Sequence, residues 1–213
     1  MLSVHSFTFN PFQENTYVVH DGKEAIIVDP GCWKLHEEQE LESWLEGRGL
    51  RPVRLVLTHA HIDHVFGCAW VAQRYGLLPE VHRAELGLLR NAPRQGRMYG
   101  VHCEPSPEPK VLLEEDGSIE LGSDRLDILF VPGHSPGHVA LYCKAQGFVV
   151  AGDVLFNGSI GRTDLPGGDF DTLASSIREK LYPLGDDVIV YCGHGETTTI
   201  GKERLSNPFV PEV

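Results

Sequence analysis

Between Thr58 and His64 the chain reads Thr-His-Ala-His-Ile-Asp-His, which places four potential metal ligands close together: His59, His61, Asp63 and His64. Neutral imidazoles mixed with carboxylates suit zinc, iron or manganese. The preceding Leu55-Val56-Leu57 reads as a short buried strand. A strand end sends residues i and i+2 the same way, so His59 and His61 can project toward one point. Asp63 and His64 fall where a helix begins and can face a second point. A lone Asp there would be an ordinary helix cap; within this cluster it is a ligand candidate.

Three further segments repeat the pattern. Val131-Pro-Gly-His134-Ser-Pro-Gly-His138 follows one apolar run, Ala151-Gly152-Asp153 follows Phe148-Val149-Val150, and Tyr191-Cys192-Gly193-His194 follows Val188-Ile189-Val190. Four buried strands thus each end in a turn holding His or Asp, where open α/β folds place their sites. His138 is expected to orient a ligand or to serve the structure rather than to ligate. His5, His20, His36, His82 and His102 are isolated and read as ordinary surface or satisfied histidines.

Strands must carry these residues. Tyr17–Val19 and Ala25–Gly31 form one candidate hairpin, and Val139–Cys143 and Phe148–Asp153 a second, each ending in a small-residue turn with Asp. The repeat hints at a duplication with a period of roughly 120 residues, too long for a solenoid. Apolar spacing predicts helices over 35–47, 64–75 and 171–181, short strands over 53–57, 126–131 and 188–191, and a strand mixed with helix over 79–89. Residues 91–110, rich in Pro and Gly, read as a long loop that could serve as a lid. No linker divides the chain, so a single α/β domain over 1–213, with helices outside two sheets, is expected.

Composition narrows the function. Hydrophobic residues make up 41% and charged residues 23% of 213, ordinary for a globular protein. A net charge of −12 disfavours nucleic-acid and anionic-membrane partners. Five cysteines, without a CxxC pair, point to reduced, mostly buried thiols rather than a thiolate zinc site. No apolar run approaches a membrane span, and the N-terminus lacks a signal-peptide pattern, so a cytoplasmic enzyme is expected.

The motif His59-x-His61-x-Asp63-His64, with His134, Asp153 and His194 in order downstream, resembles the metallo-β-lactamase superfamily. The resemblance implies an αββα four-layer sandwich. It implies that His59, His61 and His134 hold one metal ion, that Asp63, His64 and His194 hold a second, and that Asp153 bridges both; zinc is expected, with iron or manganese as alternatives. Within the superfamily, Leu155–Asp164 and Tyr191–His194 are similar to the glyoxalase II group and its short bacterial relatives, which hydrolyse S-2-hydroxyacylglutathione, typically S-D-lactoylglutathione. Two features depart from full-length glyoxalase II: only Gly195–Val213 follows His194, without the C-terminal helical domain, and Glu196 stands where a Tyr is frequent. These count against glutathione as the carrier thiol and not against a thioester.

A water shared by two divalent ions has its pKa lowered from about 15.7 toward roughly 7, which supplies hydroxide at neutral pH. That metal-bridging hydroxide would attack a small-molecule thioester, with Asp63 orienting it. A thiolate leaves with a conjugate-acid pKa near ~8.5, so no general acid is needed. Arg162 stands where relatives carry a basic residue and is a candidate substrate contact, as are Met98 and Tyr99. The rivals are a mononuclear-iron persulfide dioxygenase, which shares a Gly-Arg-Thr-Asp segment like 161–164, an RNA-processing nuclease, disfavoured by the acidity, and a non-catalytic binding protein, disfavoured by the complete ligand set. The oligomeric state stays open.

Overall fold

The computed structural model describes residues 1–211. The chain forms two compact units, Met1–Leu113 with Glu120–Asp124, and Glu114–Ile119 with Arg125 onward.

The first unit is built on a six-stranded sheet in chain order: β1 (Ser3–Phe9), β2 (Glu14–His20), β3 (Glu24–Val28), β4 (Arg51–Val56), β5 (Pro79–His82) and β6 (Val111–Leu113). β1, β2 and β3 pair antiparallel, and β3 through β6 pair parallel. A parallel neighbour needs a crossover, and α1 (Leu35–Gly47) supplies the one between β3 and β4. Its Leu41 and Leu45 are buried in the same core as Ile27, Leu55 and Leu57. Burying such a side chain stabilises by about 1.5–3 kcal/mol. The β1 strand was not anticipated from the sequence; it pairs with β2 along its whole length.

The helix expected over 64–75 is two helices, α2 (Ile62–Val65) and α3 (Cys68–Tyr75). Gly67 separates them. Its N–H donates to the Pro30 carbonyl at 2.7 Å. A Cβ on Gly67 would overlap Cys32 Sγ and lie 2.9 Å from that carbonyl oxygen. The close approach to the Pro30 turn breaks the helix and holds α2 beside the end of β3.

The loop expected over 91–110 is also corrected. Helix α4 (Leu86–Tyr99) runs through Pro93, and the irregular stretch begins only at Gly100. A proline removes one helical hydrogen bond. Here the buried face of Leu89, Ala92 and Gly96 outweighs that loss.

The second unit repeats the scheme. Its sheet comprises β7 (Ser118–Leu121), β8 (Asp124–Phe130), β9 (Val139–Cys143), β10 (Phe148–Gly152), β13 (Ile189–Cys192) and β14 (Thr198–Thr199), in the order β14-β13-β10-β9-β8-β7. A small hairpin, β11 (Leu155–Phe156) with β12 (Ser159–Ile160), stands apart. In both units an antiparallel hairpin, β2–β3 or β9–β10, is followed by a strand parallel to its second arm, β4 or β13. Helix α5 (Phe170–Ser176) continues as a wider turn over Ile177–Leu181, and its Leu173, Ile177 and Leu181 pack with Val149, Ala151 and Val190. A last helix, α6 (Ile200–Ser206), had no counterpart in the sequence reading. All five cysteines are buried, and they are thiols rather than disulfides. Among the described residues no helix is long and apolar enough to cross a membrane.

Candidate metal centre

In the first unit, β4 delivers Thr58–His61 beside the end of β3, where Asp29 takes a left-handed backbone (φ 50°) and its N–H donates to the Val56 carbonyl at 3.0 Å. The buried Asp29 carboxylate then accepts three bonds: from the Thr58 N–H at 2.7 Å, the Thr58 hydroxyl at 2.6 Å and His64 Nδ1 at 3.1 Å. Thr58 Oγ1 lies 3.1 Å from His59 Nδ1. A hydroxyl has one hydrogen, and it is given to Asp29, so Thr58 accepts from His59 Nδ1–H. Both imidazoles therefore carry their proton on Nδ1, the tautomer in which Nε2 would be the ligating nitrogen of a metal site.

The rings converge. His59 and His61 meet edge-on with centroids 4.8 Å apart, and His59 and His64 lie 4.2 Å apart. Asp63 Oδ2 is 3.9 Å from His64 Nε2. The four first-unit residues named from the sequence thus come together. The backbone beneath them is held at two places. Buried Glu85 accepts the Ala60 N–H at 2.8 Å, and Asn10 Nδ2 donates to the carbonyls of Asp63 and Gly31 at 3.0 and 2.9 Å. Glu14 is fully buried, 3.8 Å from His64 Nδ1, and burial pushes its carboxyl well above the usual carboxylate range. Asp29, His59 and His64 also sit close enough to cage an ion by themselves. The Asp29 oxygens, however, address the Nδ1 side of His64 and the Thr58 donors, so we assign Asp29 to orienting.

In the second unit, the turn after β8 carries His134, the end of β10 carries Asp153, and the turn after β13 carries His194. One oxygen, Asp153 Oδ2, lies 3.5 Å from His134 Nε2 and 3.5 Å from His194 Nε2. His134 Nδ1 donates to the Arg162 carbonyl at 2.8 Å, the same tautomer as at His59 and His64. His138, fully buried, accepts the Asp153 N–H on its own Nε2 at 3.1 Å. It orients the aspartate, as its place in the sequence suggested.

The candidate substrate contacts sit differently. The Arg162 guanidinium is exposed and forks onto Asp164 at 2.7 Å on both arms, holding that carboxyl down at about 2. Met98 and Tyr99 are exposed at the end of α4, with the Tyr99 ring 6.0 Å from Phe12. Sequence reasoning missed Thr58, Glu85 and Glu14 as supports. Asp29 left a signal, since it ends a hairpin strand as Asp153 does.

In each unit, imidazoles and carboxylates carried on strand ends and on α2 come together, and their chemistry suits divalent transition-metal ions. Fold and site together define a metal-binding enzyme. The chain belongs to the metallo-β-lactamase superfamily, whose model matches residues 9–194, and it is a metallo-hydrolase with the fold of that superfamily. Hydroxyacylglutathione hydrolase GloC of Haemophilus influenzae is 37% identical over 98% of each chain. The crystal structure of the BLEG-1 B3 metallo-beta-lactamase is 37% identical, with a TM-score of 0.90 over 98% of this chain and 99% of that one. TTHA1623, solved in a di-iron-bound form, is 38% identical, with a TM-score of 0.87 over 96% of this chain and 99% of that one.

Proposed function

We propose that the protein hydrolyses a thioester, of the S-2-hydroxyacylglutathione class, at a centre of two divalent ions. His59, His61 and His134 would hold the first ion, Asp63, His64 and His194 the second, and Asp153 both. The observation that carries this reading is the Asp153 carboxylate oxygen, equidistant at 3.5 Å from His134 Nε2 and His194 Nε2. One oxygen between two imidazoles is the placement a bridging ligand needs. The likeness to GloC supports the thioester, and the di-iron form of TTHA1623 makes iron the alternative to zinc.

When bound, the ions supply hydroxide at neutral pH and polarise the acyl carbonyl. The chain's own residues do the rest. Asp29 and Thr58 lock the tautomers of His64 and His59. Asp63 orients the attacking water. The departing thiolate needs no proton donor. Arg162 offers a cation to an anionic carrier once its fork onto Asp164 opens, and Met98 and Tyr99 offer apolar surface to the substrate.

The test is metal analysis of purified protein alongside hydrolysis of S-D-lactoylglutathione, other acyl thioesters and a chromogenic cephalosporin. Two ions per chain with thioester turnover is the expected result. A fully loaded protein that opens the cephalosporin and leaves every thioester intact would defeat the proposal, as would one iron per chain with persulfide-dependent oxygen uptake.

A further inference from the structure

Helix α6 lies outside the ligand set, yet its Glu203 is a fully buried carboxylate. It accepts from the Gly158 N–H at 2.9 Å, the Thr198 hydroxyl at 2.5 Å and Asn207 Nδ2 at 2.8 Å. Two of these donors belong to other segments. Gly158 is in the turn of the β11–β12 hairpin, and Thr198 opens β14, four residues past His194. Neighbouring bonds reinforce the join. Asn207 Nδ2 also donates to the Ser159 carbonyl at 3.0 Å, Lys202 Nζ to Asn157 Oδ1 at 2.6 Å, and Asn157 Nδ2 to the Thr197 carbonyl at 3.2 Å.

The tethered hairpin touches all three ligands of the second unit. It starts two residues after Asp153. Its Phe156 ring stands edge-on to the His194 imidazole, with centroids 6.0 Å apart. At its far end Gly161 packs against the Asp153 carbonyl, and the Arg162 carbonyl takes the His134 Nδ1 proton. A hairpin of two-residue strands cannot hold itself in place by its own ladder. Leu155 anchors its first strand in the second-unit core, with Phe156 and Ile160 packed against that core, and the turn at its tip is gripped from α6 by Glu203.

We infer that Glu203 is a positioning residue for the metal centre, acting through the β11–β12 hairpin on Asp153, His134 and His194. The inference rests on the proposed metal role of these three residues. Through this one carboxylate the hairpin turn and the segment just beyond His194 are tied to the same point of α6, so a change at Glu203 reaches the metal centre from two sides.

The experiment uses full-length protein stripped of metal with a chelator and titrated with Co2+, read by affinity and visible absorption, with thermal unfolding of the metal-free form beside it. Glu203→Gln keeps the volume and removes the charge and one acceptor. Its Co2+ affinity should fall about tenfold or more, as for other groups that orient ligands, with shifted absorption bands. Phe156→Leu leaves Glu203 untouched and should move the spectrum and affinity in the same direction. Thr198→Val, which removes one donor to the Glu203 carboxylate and touches no ligand ring, should show the same loss and decides the matter if Glu203→Gln fails to fold. Wild-type affinity and spectrum in the folded variants, with or without a lowered melting temperature, would overturn the inference and leave the metal site intact. Absence of Co2+ binding by the wild type would overturn both.

Discussion

Asp29 Oδ2 lies 3.1 Å from His64 Nδ1, both side chains being buried, and the same carboxylate reaches His59 through the Thr58 hydroxyl. One side chain therefore sets the tautomer of two imidazoles. Asp29→Ala would strand three buried donors, each costing about 1–3 kcal/mol, and should lower metal affinity by about 10–100-fold. Asp29→Asn tolerates the left-handed backbone and separates charge from conformation, so its loss should be smaller. Chelator competition and urea unfolding measure the two effects. Wild-type metal affinity in Asp29→Ala would show that His59 and His64 need no orienting partner.

Gly161 is the tightest point behind the second-unit ligands. A Cβ there would overlap the Asp153 carbonyl oxygen and lie 2.9 Å from His134 Nδ1. Gly161→Ala must displace the hairpin or the aspartate, and metal content and turnover should both fall at least tenfold, the range seen when ligand-orienting groups move. Gly47→Ala is the control. No atom lies within 4 Å of its Cβ position, at the end of α1, so a stabilising change of up to about 1 kcal/mol is expected. A Gly161→Ala protein with normal metal content, measured by elemental analysis, would refute the close-packing argument.

Much of this site was legible in the sequence because strand ends are local. An apolar run followed by His-x-His, or by Gly-Asp, says what a strand delivers, and both hairpins appear where their apolar runs and turns placed them. What stayed hidden is non-local. Glu85 meets Ala60 across 25 positions and Glu203 meets Gly158 across 45, with no spacing rule to announce either. Breaker residues misled in two opposite ways: Gly67 ended a helix through contact with the Pro30 turn, whereas Pro93 failed to end one because its neighbours are buried. Asp29 and Asp153 follow equivalent strands and look alike in sequence. Only their contacts separate an orienting carboxylate from one flanked by two Nε2 atoms.

His138 accepts the Asp153 N–H and fixes the peptide from which the carboxylate extends. His138→Ala removes that acceptor in a buried place, which should destabilise by about 1–3 kcal/mol and weaken metal binding. His138→Gln retains an acceptor oxygen and should recover part of both. Chemical unfolding with and without added Zn2+ separates the two losses. Equal effects of Ala and Gln would mean that ring packing, not the hydrogen bond, is what His138 contributes.

Away from the metal centre, His5 stacks on Trp44 at 4.2 Å, with His20 5.7 Å from the same ring and the Arg48 guanidinium 4.2 Å over it. Burial, then Arg48, lowers both histidines below 6.5; Glu40 opposes this at His5 and Asp21 at His20. Because the folded pKa values are depressed, the unfolded chain takes up protons first as pH falls. The stability these neutral histidines contribute is complete above about pH 6.5 and is lost progressively below it. Melting temperatures of metal-loaded protein should drop between pH 7 and pH 5, and a His5→Asn, His20→Asn double variant should show a shallower drop. Every other titrating group is common to both proteins, so the difference between the two profiles isolates the pair. Parallel profiles would mean that protonating these histidines costs the fold nothing.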